Sequence, residues 1–251
     1  MFDQHLGAGH RVLQANDVAS NPDDCALSYA VAVGNLIEND LFYAPKSRLG
    51  LAVFLRGTGM VFHREVLQTF PWKAHSIVED VEYSLNFFRN GIRIRYVDEV
   101  RVRSESPIHH DQLNVQRTRW ARGNLSLGKK YALRLIWEAL IMRNALLADA
   151  GWTLLVLSRP LVLCELLIAA VLTVLCFIFS PGLLSDVLLV TVLAITAVQG
   201  LYFGLGIVLL GLNARRLRFL LRSPVVILHL IWISLVAAFG TEKDVWARTP
   251  R

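Results

Sequence analysis

The chain has 251 residues, of which 54% are hydrophobic, and a mean hydropathy of +0.45. This composition is too apolar for an ordinary soluble domain of that length and predicts membrane spans. The net charge of +6 does not indicate a nucleic-acid partner, because the arginines cluster around one polar stretch and beside apolar segments. That distribution is typical of a cytoplasmic membrane face and an anionic substrate. Three cysteines without a CxxC pattern predict neither a disulfide framework nor a zinc site.

The apolar residues are concentrated in the last part of the chain. Between residues 151 and 214 the only charged side chains are Arg159, Glu165 and Asp186, whereas residues 1–150 are as charged as a soluble domain. We therefore predict a water-facing part of about 150 residues followed by a lipid-facing part of about 100.

The first predicted elements are short. Between residues 11 and 55, apolar runs alternate with turn residues, at positions 21–24 and 44–46. Residues 49–55 are apolar and predict a buried strand. The turn Gly57-Thr58-Gly59 follows directly, and a glycine-rich turn after a strand is where an α/β fold brings its backbone close to a ligand.

An acidic pair begins the next predicted helix. Ser76 and Glu79 have the S-x-x-E spacing of a capping box, and apolar residues then recur at helical spacing as far as Gly91. This pattern places Glu79 and Asp80 in a first helical turn. Residues 92–97 alternate with a period of two and predict a half-buried strand. The succession of strand, helix and strand predicts an α/β domain.

A long helical pattern runs from residue 113 to about residue 148, with breaks expected near Gly123 and Gly128. Gln116, Arg119 and Trp120 are spaced i, i+3 and i+4 in it, so they share one helical face. Beyond them, a polar stripe of Lys130, Arg134 and Glu138 lies opposite an apolar one of Leu133, Ile136 and Leu140. Residues 125–150 are therefore predicted to form an amphipathic helix at the bilayer interface.

Two apolar segments are long enough to cross a bilayer. They cover about residues 160–179, with Glu165 as the single charge, and residues 187–212, with none. A third apolar run, residues 225–239, has only 15 residues and lies between basic flanks. We expect residues 217–239 to form an interfacial or re-entrant segment, followed by a cytoplasmic tail, because both flanks favour the cytoplasm. The alternative is a third crossing, which would place the chain end on the outside.

The polar residues suggest chemistry, although each has a plainer interpretation. Asp80 could act as a general base, yet an acidic pair in a first helical turn is also stabilised by the helix dipole alone. Arg119 suits a pyrophosphate group, and the Trp120 indole suits the apolar face of a sugar ring. The same tryptophan would also fit an interfacial aromatic belt.

Taken together, four segments resemble the second half of a known enzyme family. In chain order these are Gly57-Thr58-Gly59, Glu79-Asp80, residues 92–97, and residues 116–123 with the pattern Q-x-x-R-W. The order and spacing are similar to those of family 2 processive-type glycosyltransferases, which include the cellulose, hyaluronan and poly-N-acetylglucosamine synthases. The chain end, with Trp246, Thr249 and Arg251, also resembles the W-x-x-T-x-R ending of these membrane enzymes.

The resemblance implies the C-terminal part of a GT-A (Rossmann-like) catalytic domain, over residues 1–124, followed by a membrane region over residues 151–251. The implied location is the inner (plasma) membrane, with several passes and a cytoplasmic catalytic part. The implied reaction is inverting transfer of a hexosyl group from a nucleotide sugar, with a UDP-sugar expected, to a glycan or lipid-linked acceptor. A divalent metal, Mg or Mn, is implied for the full-length enzyme. Processive synthesis and single transfer both stay open.

The resemblance also assigns roles to individual residues. Asp80 matches the catalytic base, and Glu79 is its neighbour in the catalytic pair. The motif that holds the donor diphosphate and the acceptor end matches Gln116, Arg117, Arg119 and Trp120. A loop beside the acceptor sugar matches Gly57, Thr58 and Gly59. The chain end at Trp246, Thr249 and Arg251 would be a gating tail.

One departure from the family is the D-x-D element that binds the metal and the diphosphate. This chain has no such element, and Asp23 and Asp24 are adjacent residues in a predicted turn. We therefore expect a C-terminal piece whose metal ligands lie outside this chain. We expect this piece, on its own, to be inactive and not to bind a nucleotide sugar tightly.

Two functions of other classes compete with this interpretation. A membrane pore or carrier would explain Glu165 and Asp186, which lie in or near apolar spans and could line a path. A non-catalytic membrane scaffold would explain the acidic pair as a helix cap only. Two spans are few for a carrier, which would also leave the water-facing half unexplained.

Overall fold

The computed structural model describes residues 2–72, 76–156 and 159–240. The strands are β1 (Val12–Ala19), β2 (Met60–Phe62) and β3 (Ile94–Ser104). The helices of the water-facing part are α1 (Phe2–Gly7), α2 (Ala26–Leu36), a π-helix (Ile37–Tyr43), α3 (Ala44–Arg48), α4 (Arg64–Thr69), α5 (Glu79–Arg89), α6 (His110–Met142) and α7 (Ala145–Val156). Three further helices follow, α8 (Arg159–Phe179), α9 (Leu183–Leu210) and α10 (Ala214–Phe239).

The three strands form one mixed sheet in the order β2-β1-β3. β1 is antiparallel to β2 and parallel to β3, and it is buried because it lies in the middle. The register of β1 against β3 shifts after Ala15, at a bulge. β3 confirms the strand predicted at residues 92–97 and extends it to Ser104. A small mixed sheet flanked by helices agrees with the predicted α/β class, although it does not by itself establish the GT-A fold.

The buried strand predicted at residues 49–55 is wrong. Ala52, Val53, Phe54 and Leu55 are fully buried, but no strand forms there. Side-chain oxygens accept hydrogen bonds from backbone N–H groups that would otherwise donate to a neighbouring strand. Ala52 N–H donates to Asp149 at 2.7 Å, and Leu55 N–H donates to the Ser84 hydroxyl at 2.8 Å.

The capping box predicted at Ser76 is also wrong. Helix α5 begins at Glu79, and its N-cap is Val78, which makes no side-chain cap bond. Glu79 and Asp80 nevertheless lie in the first turn, as predicted. The turn expected at residues 44–46 is helical and belongs to α3, where Pro45 occupies an early position that tolerates a missing N–H group.

Helix α6 runs without interruption for 33 residues, so the breaks predicted near Gly123 and Gly128 are wrong. The chain leaves the helix at Arg143, which has a left-handed φ of 49°. The two glycines allow close packing instead. A Cβ added at Gly123 would lie 2.7 Å from two methyl carbons of Val78, and one at Gly128 would lie 3.3 Å from the carbonyl oxygen of Leu154.

Helix α7 packs along α6 and contributes to the main hydrophobic core, which also contains β1, residues 52–55 and α5. A buried ion pair joins this helical pair to α3, since Nζ of Lys46 lies 2.9 Å from Oδ2 of Asp149. The long helix that carries the Q-x-x-R-W residues is thereby linked through α7 to α3, which contacts β3.

Among the described residues, three helices are long and apolar enough to cross a membrane. α8 has 21 residues, α9 has 28 and α10 has 26. α8 and α9 correspond to the two predicted crossings. α10 is longer than the 15-residue apolar run because its first turns include the basic residues of the flank. The assignment of residues 217–239 as an interfacial or re-entrant segment stays a prediction.

Candidate active site

The carboxylate of Asp80 lies at the start of α5, beside the glycine turn. Its Oδ1 accepts a hydrogen bond from the backbone N–H of Val81 at 2.8 Å. A Cβ added at Gly57 would lie 3.4 Å from Oδ2 of Asp80, and Gly57 has a left-handed φ of 76°. Glycine adopts this conformation at no steric cost, so the turn can pass close to the carboxylate.

The pKa of Asp80 is raised to about 6, mainly because the carboxyl group is withdrawn from water. The hydrogen bond from Val81 opposes this shift, and the negative charge of Glu79 adds to it. The guanidinium of Arg56 also opposes the shift. A carboxylate with this pKa is ionised at neutral pH and is still a better proton acceptor than an ordinary aspartate.

The glycine turn is held in place by Gln14, a fully buried residue of β1. The side-chain oxygen of Gln14 accepts from the backbone N–H of Arg56 at 3.0 Å, and its amide donates to the carbonyl of Thr58 at 2.8 Å. One side chain therefore bonds both ends of the 56–58 segment. This anchor holds the turn just before Gly59, whose carbonyl accepts from the backbone N–H of Ala15 on β1 at 2.9 Å.

Helix α6 brings the Q-x-x-R-W residues to the same place. Gln116, Arg117, Arg119 and Trp120 line a cavity of about 450 Å³ together with Gly57, Thr58, Glu79 and Asp80. The guanidinium of Arg117 lies 5.0 Å from the centre of the Trp120 ring, a distance suited to a cation–π contact. Trp120 is 37% exposed, so part of its indole face is open to a ligand.

One of the predicted site residues, Gly59, is placed differently. Gly59 does not line the cavity, and a Cβ added there would lie 2.9 Å from Ala15 and from Val102, so this glycine serves packing on the sheet. The residues of the predicted gating tail, Trp246, Thr249 and Arg251, lie outside the described residues.

The cavity also contains charged residues that the sequence patterns do not reveal. Asp17, Glu38, Arg56 and Glu105 line it, and they come from different elements or loops. The position of Asp17 near the carboxyl end of β1 could have indicated a site, because ligands of α/β sheets bind at those ends. Glu38 lies on the π-helix, a distortion that no hydrophobic pattern indicates.

Part of the cavity wall comes from two of the helices that are apolar enough to cross a membrane. Pro160 of α8 and Leu230 and Ser234 of α10 line it beside the residues of α6. His229 of α10 bonds to Asn114 of α6, with 2.7 Å between Nε2 and Oδ1. The cavity is therefore enclosed jointly by residues of the first 124 positions and by α8 and α10.

The described residues do not provide a donor set for a divalent metal. They include no group of three or more His, Cys, Asp or Glu side chains that could hold such an ion. The carboxylate of Asp17 accepts from the Ser104 hydroxyl at 2.5 Å, and the carboxylate of Asp23 forms a bidentate pair with Arg216, at 2.7 and 2.8 Å. We therefore derive no step of the reaction through a metal.

The cavity combines carboxylates, arginines, a glutamine and a tryptophan, and the comparison with known proteins identifies the family. The sequence profile of the family described as "Glycosyl transferase family group 2" matches residues 34–239. That match covers most of the chain, and the chain belongs to this family.

Two curated relatives are similar over part of their length. A probable glucomannan 4-beta-mannosyltransferase 14 of Arabidopsis thaliana is 28% identical over 132 residues, which are 50% of this chain and 24% of that protein. A probable glucomannan 4-beta-mannosyltransferase 7 of Oryza sativa subsp. japonica is 28% identical over 102 residues, which are 39% of this chain and 17% of that protein. The similarity thus spans less than a quarter of either relative.

Proposed function

We propose that this chain contains the acceptor-side catalytic part of a membrane glycosyltransferase. In this proposal a hexosyl group passes from a nucleotide sugar to a hydroxyl of a glycan or a lipid-linked acceptor, with inversion, at the cytoplasmic face of the membrane. The observation that supports it is the shared cavity. Asp80 and the Q-x-x-R-W residues are separated by more than thirty positions in the sequence, yet they line the same space.

Asp80 would act as the general base. It would accept the proton of the acceptor hydroxyl while that oxygen attacks the anomeric carbon and the bond to the diphosphate breaks. The close approach of Gly57 leaves room for an acceptor sugar beside the carboxylate. General bases of this kind contribute about 10²–10⁴-fold to a rate.

Arg117 and Arg119 would offset the negative charge that grows on the leaving diphosphate. A charge that develops in the transition state is stabilised most by donors already held in place. Gln116 could add a neutral hydrogen bond. The open face of the Trp120 indole would pack on the apolar face of a sugar ring, which selects a ring-shaped acceptor or donor.

The exposed apolar surfaces support a membrane location for this site. Along the second half of α6, Leu133, Trp137, Leu140 and Ile141 are mostly exposed, and Trp152 of α7 is exposed beside them. An apolar face with tryptophans that finds no protein partner suits the bilayer interface. This surface supports the proposed interfacial position of residues 125–150.

The contacts of α10 support an interfacial position for that helix too. It touches the water-facing part along its length: Arg216 pairs with Asp23 near its start, and His229 bonds to Asn114 in its middle. Its other face exposes Leu221, Val225, Leu228 and Trp232. A helix with one face on the catalytic part and one apolar face would lie along the membrane surface.

The function can be tested by supplying labelled donors to native membranes that contain this chain as part of the full-length enzyme. UDP-glucose, UDP-N-acetylglucosamine and a nucleotide-activated mannose form the panel, the last because the relatives are named as mannosyltransferases. We expect label from one of these donors in a polymer or a lipid. Absence of transfer from a full panel of nucleotide sugars would contradict the proposal.

The pH dependence of transfer should report the pKa of Asp80. Because the base must be unprotonated and its pKa is about 6, kcat/KM should reach half its plateau near pH 6. Below that value it should fall about tenfold for each pH unit. Initial rates at subsaturating donor between pH 5 and 8 check this, with protein integrity followed at each pH. A flat profile across that range would show that another group takes the proton.

A further inference from the structure

The carboxylate of Glu38 lies among several guanidinium groups at the cavity. Nη2 of Arg56 lies 3.4 Å from Oε2 of Glu38, and Arg56 also donates to the side-chain oxygen of Asn39. Both side chains are largely withdrawn from solvent, with 17% of Arg56 and 26% of Glu38 exposed. Glu38 and Arg56 line the cavity beside Arg117 and Arg119.

The first residue of α8 reaches the same cluster from the membrane region. The guanidinium of Arg159 lies 5.5 Å from the ring centre of Phe42, which follows Glu38 by one turn on the π-helix. The next residue, Pro160, lines the cavity. Burial favours a raised pKa for Glu38, but the positive charges of Arg56, Arg159 and Arg117 outweigh it and lower that pKa.

Several guanidinium groups converge on one carboxylate in this cluster. Those of Arg56, Arg117 and Arg159 all act on Glu38, and Arg56 also interacts with Asp17 and Asp80. Nε of Arg117, Nε of Arg119 and Nη1 of Arg159 are buried, and among the described residues none of these three atoms has a hydrogen-bond partner. Buried donors of this kind are costly to leave unpaired, and guanidinium donors suit phosphate oxygens.

We propose that Arg159 is a further binding residue for the donor diphosphate, which it would hold together with Arg117. Glu38 would be the counter-ion that keeps these guanidinium groups in place between turnovers. The proposal rests on the proposed function, since it takes the anion to be a nucleoside diphosphate. It also means that the first membrane helix contributes directly to donor binding, because Arg159 begins α8.

Binding of inorganic pyrophosphate tests this inference independently of the transfer reaction. Binding to the full chain in detergent can be measured by calorimetry at fixed, low salt. We expect Arg159→Gln to weaken pyrophosphate binding about tenfold, the loss of one charge-assisted contact. We expect Glu38→Gln to strengthen it severalfold, because the competing carboxylate is removed while its shape is kept.

A matched control is Arg218→Gln, which removes an exposed arginine near the membrane and should leave pyrophosphate binding unchanged. Thermal unfolding of each variant verifies that it is folded. A merely structural role for the cluster predicts weaker binding in both cavity variants, so opposite directions are the signature of the proposal. Unchanged binding in Arg159→Gln, weaker binding in Glu38→Gln, or no binding by the unmodified chain would overturn it. A failed transfer assay with the expected binding pattern would reject only the proposed function.

Discussion

Replacement of Asp80 by Asn is expected to reduce sugar transfer by about 10²–10⁴-fold, the contribution of a general base, while the protein stays folded. The amide keeps the shape of the carboxyl group and can still accept from Val81 N–H, but it cannot take the acceptor proton. Transfer by the complete protein in membranes, at saturating donor, measures the effect. The carrier and scaffold interpretations both predict a small change, so near-normal transfer in this variant would reject the enzyme mechanism.

The same substitution is expected to stabilise the fold at neutral pH. Because the folded-state pKa of Asp80 is raised from 3.8 to about 6, folding favours the protonated form. Stability is therefore lost as the pH rises from about 4 to 6, and the charged group remains unfavourable above that window. The Asn variant avoids this cost, which is on the order of 2 kcal/mol after allowance for partial exposure of the group.

Urea unfolding of the water-facing part, followed by a spectroscopic signal at pH 7 and at pH 4, checks the stability effect. The Asn variant should be the more stable protein at pH 7, and the difference should shrink at pH 4. Glu65→Gln is the matched control, because this carboxylate is exposed and outside the cavity. A variant that is more stable but inactive indicates that the original residue serves function rather than stability.

The second large effect is expected from Gly123→Ala. Alanine in a helix is normally favoured over glycine by about 1 kcal/mol. Here the new methyl group would lie 2.7 Å from Cγ1 and Cγ2 of Val78 and 3.1 Å from Cγ1 of Ile77. Val78 directly precedes the acidic pair, so α6 and the start of α5 must move apart. We expect a loss of about 1–3 kcal/mol in stability from this overpacking.

The activity of the Gly123→Ala variant should fall roughly 10²-fold, because a displacement near 1 Å between catalytic groups has effects of that size. The matched control is Gly204→Ala in α9, where an added Cβ meets nothing within 4 Å. That variant should keep its activity and show no loss of stability. Transfer assays and thermal unfolding of both variants test the pair. Equal behaviour of the two would mean that Gly123 does not set the distance between α5 and α6.

The local elements were predictable where a short-range pattern determines them. The alternation at residues 92–97 predicted part of β3, and the spacing of apolar residues after Glu79 placed the acidic pair in a first helical turn. The spacing of Gln116, Arg119 and Trp120 predicted a shared helical face, and α6 carries them as one helix. Long apolar runs likewise predicted α8 and α9, because length and hydropathy decide which helices can span a bilayer.

Elements that depend on side-chain hydrogen bonds across the fold were not predictable. Residues 52–55 have the composition of a buried strand, but Asp149 and Ser84 bond their N–H groups in place of a neighbouring strand. Gly123 and Gly128 suggested helix breaks, because a pattern cannot distinguish a flexible glycine from one that lets two elements approach.

The amino-acid sequence alone indicated the family and the helix and strand types with clear periodicity, and it predicted the residues that we propose for sugar transfer. Only the tertiary structure brought Asp80, the Q-x-x-R-W residues and Gly57 to one cavity and added Glu38 and Arg56 to it. It also placed the start of α8 and the middle of α10 against the site. The physical reason is that periodicity and caps act over a few residues, whereas a cavity is formed by contacts between segments far apart in the chain.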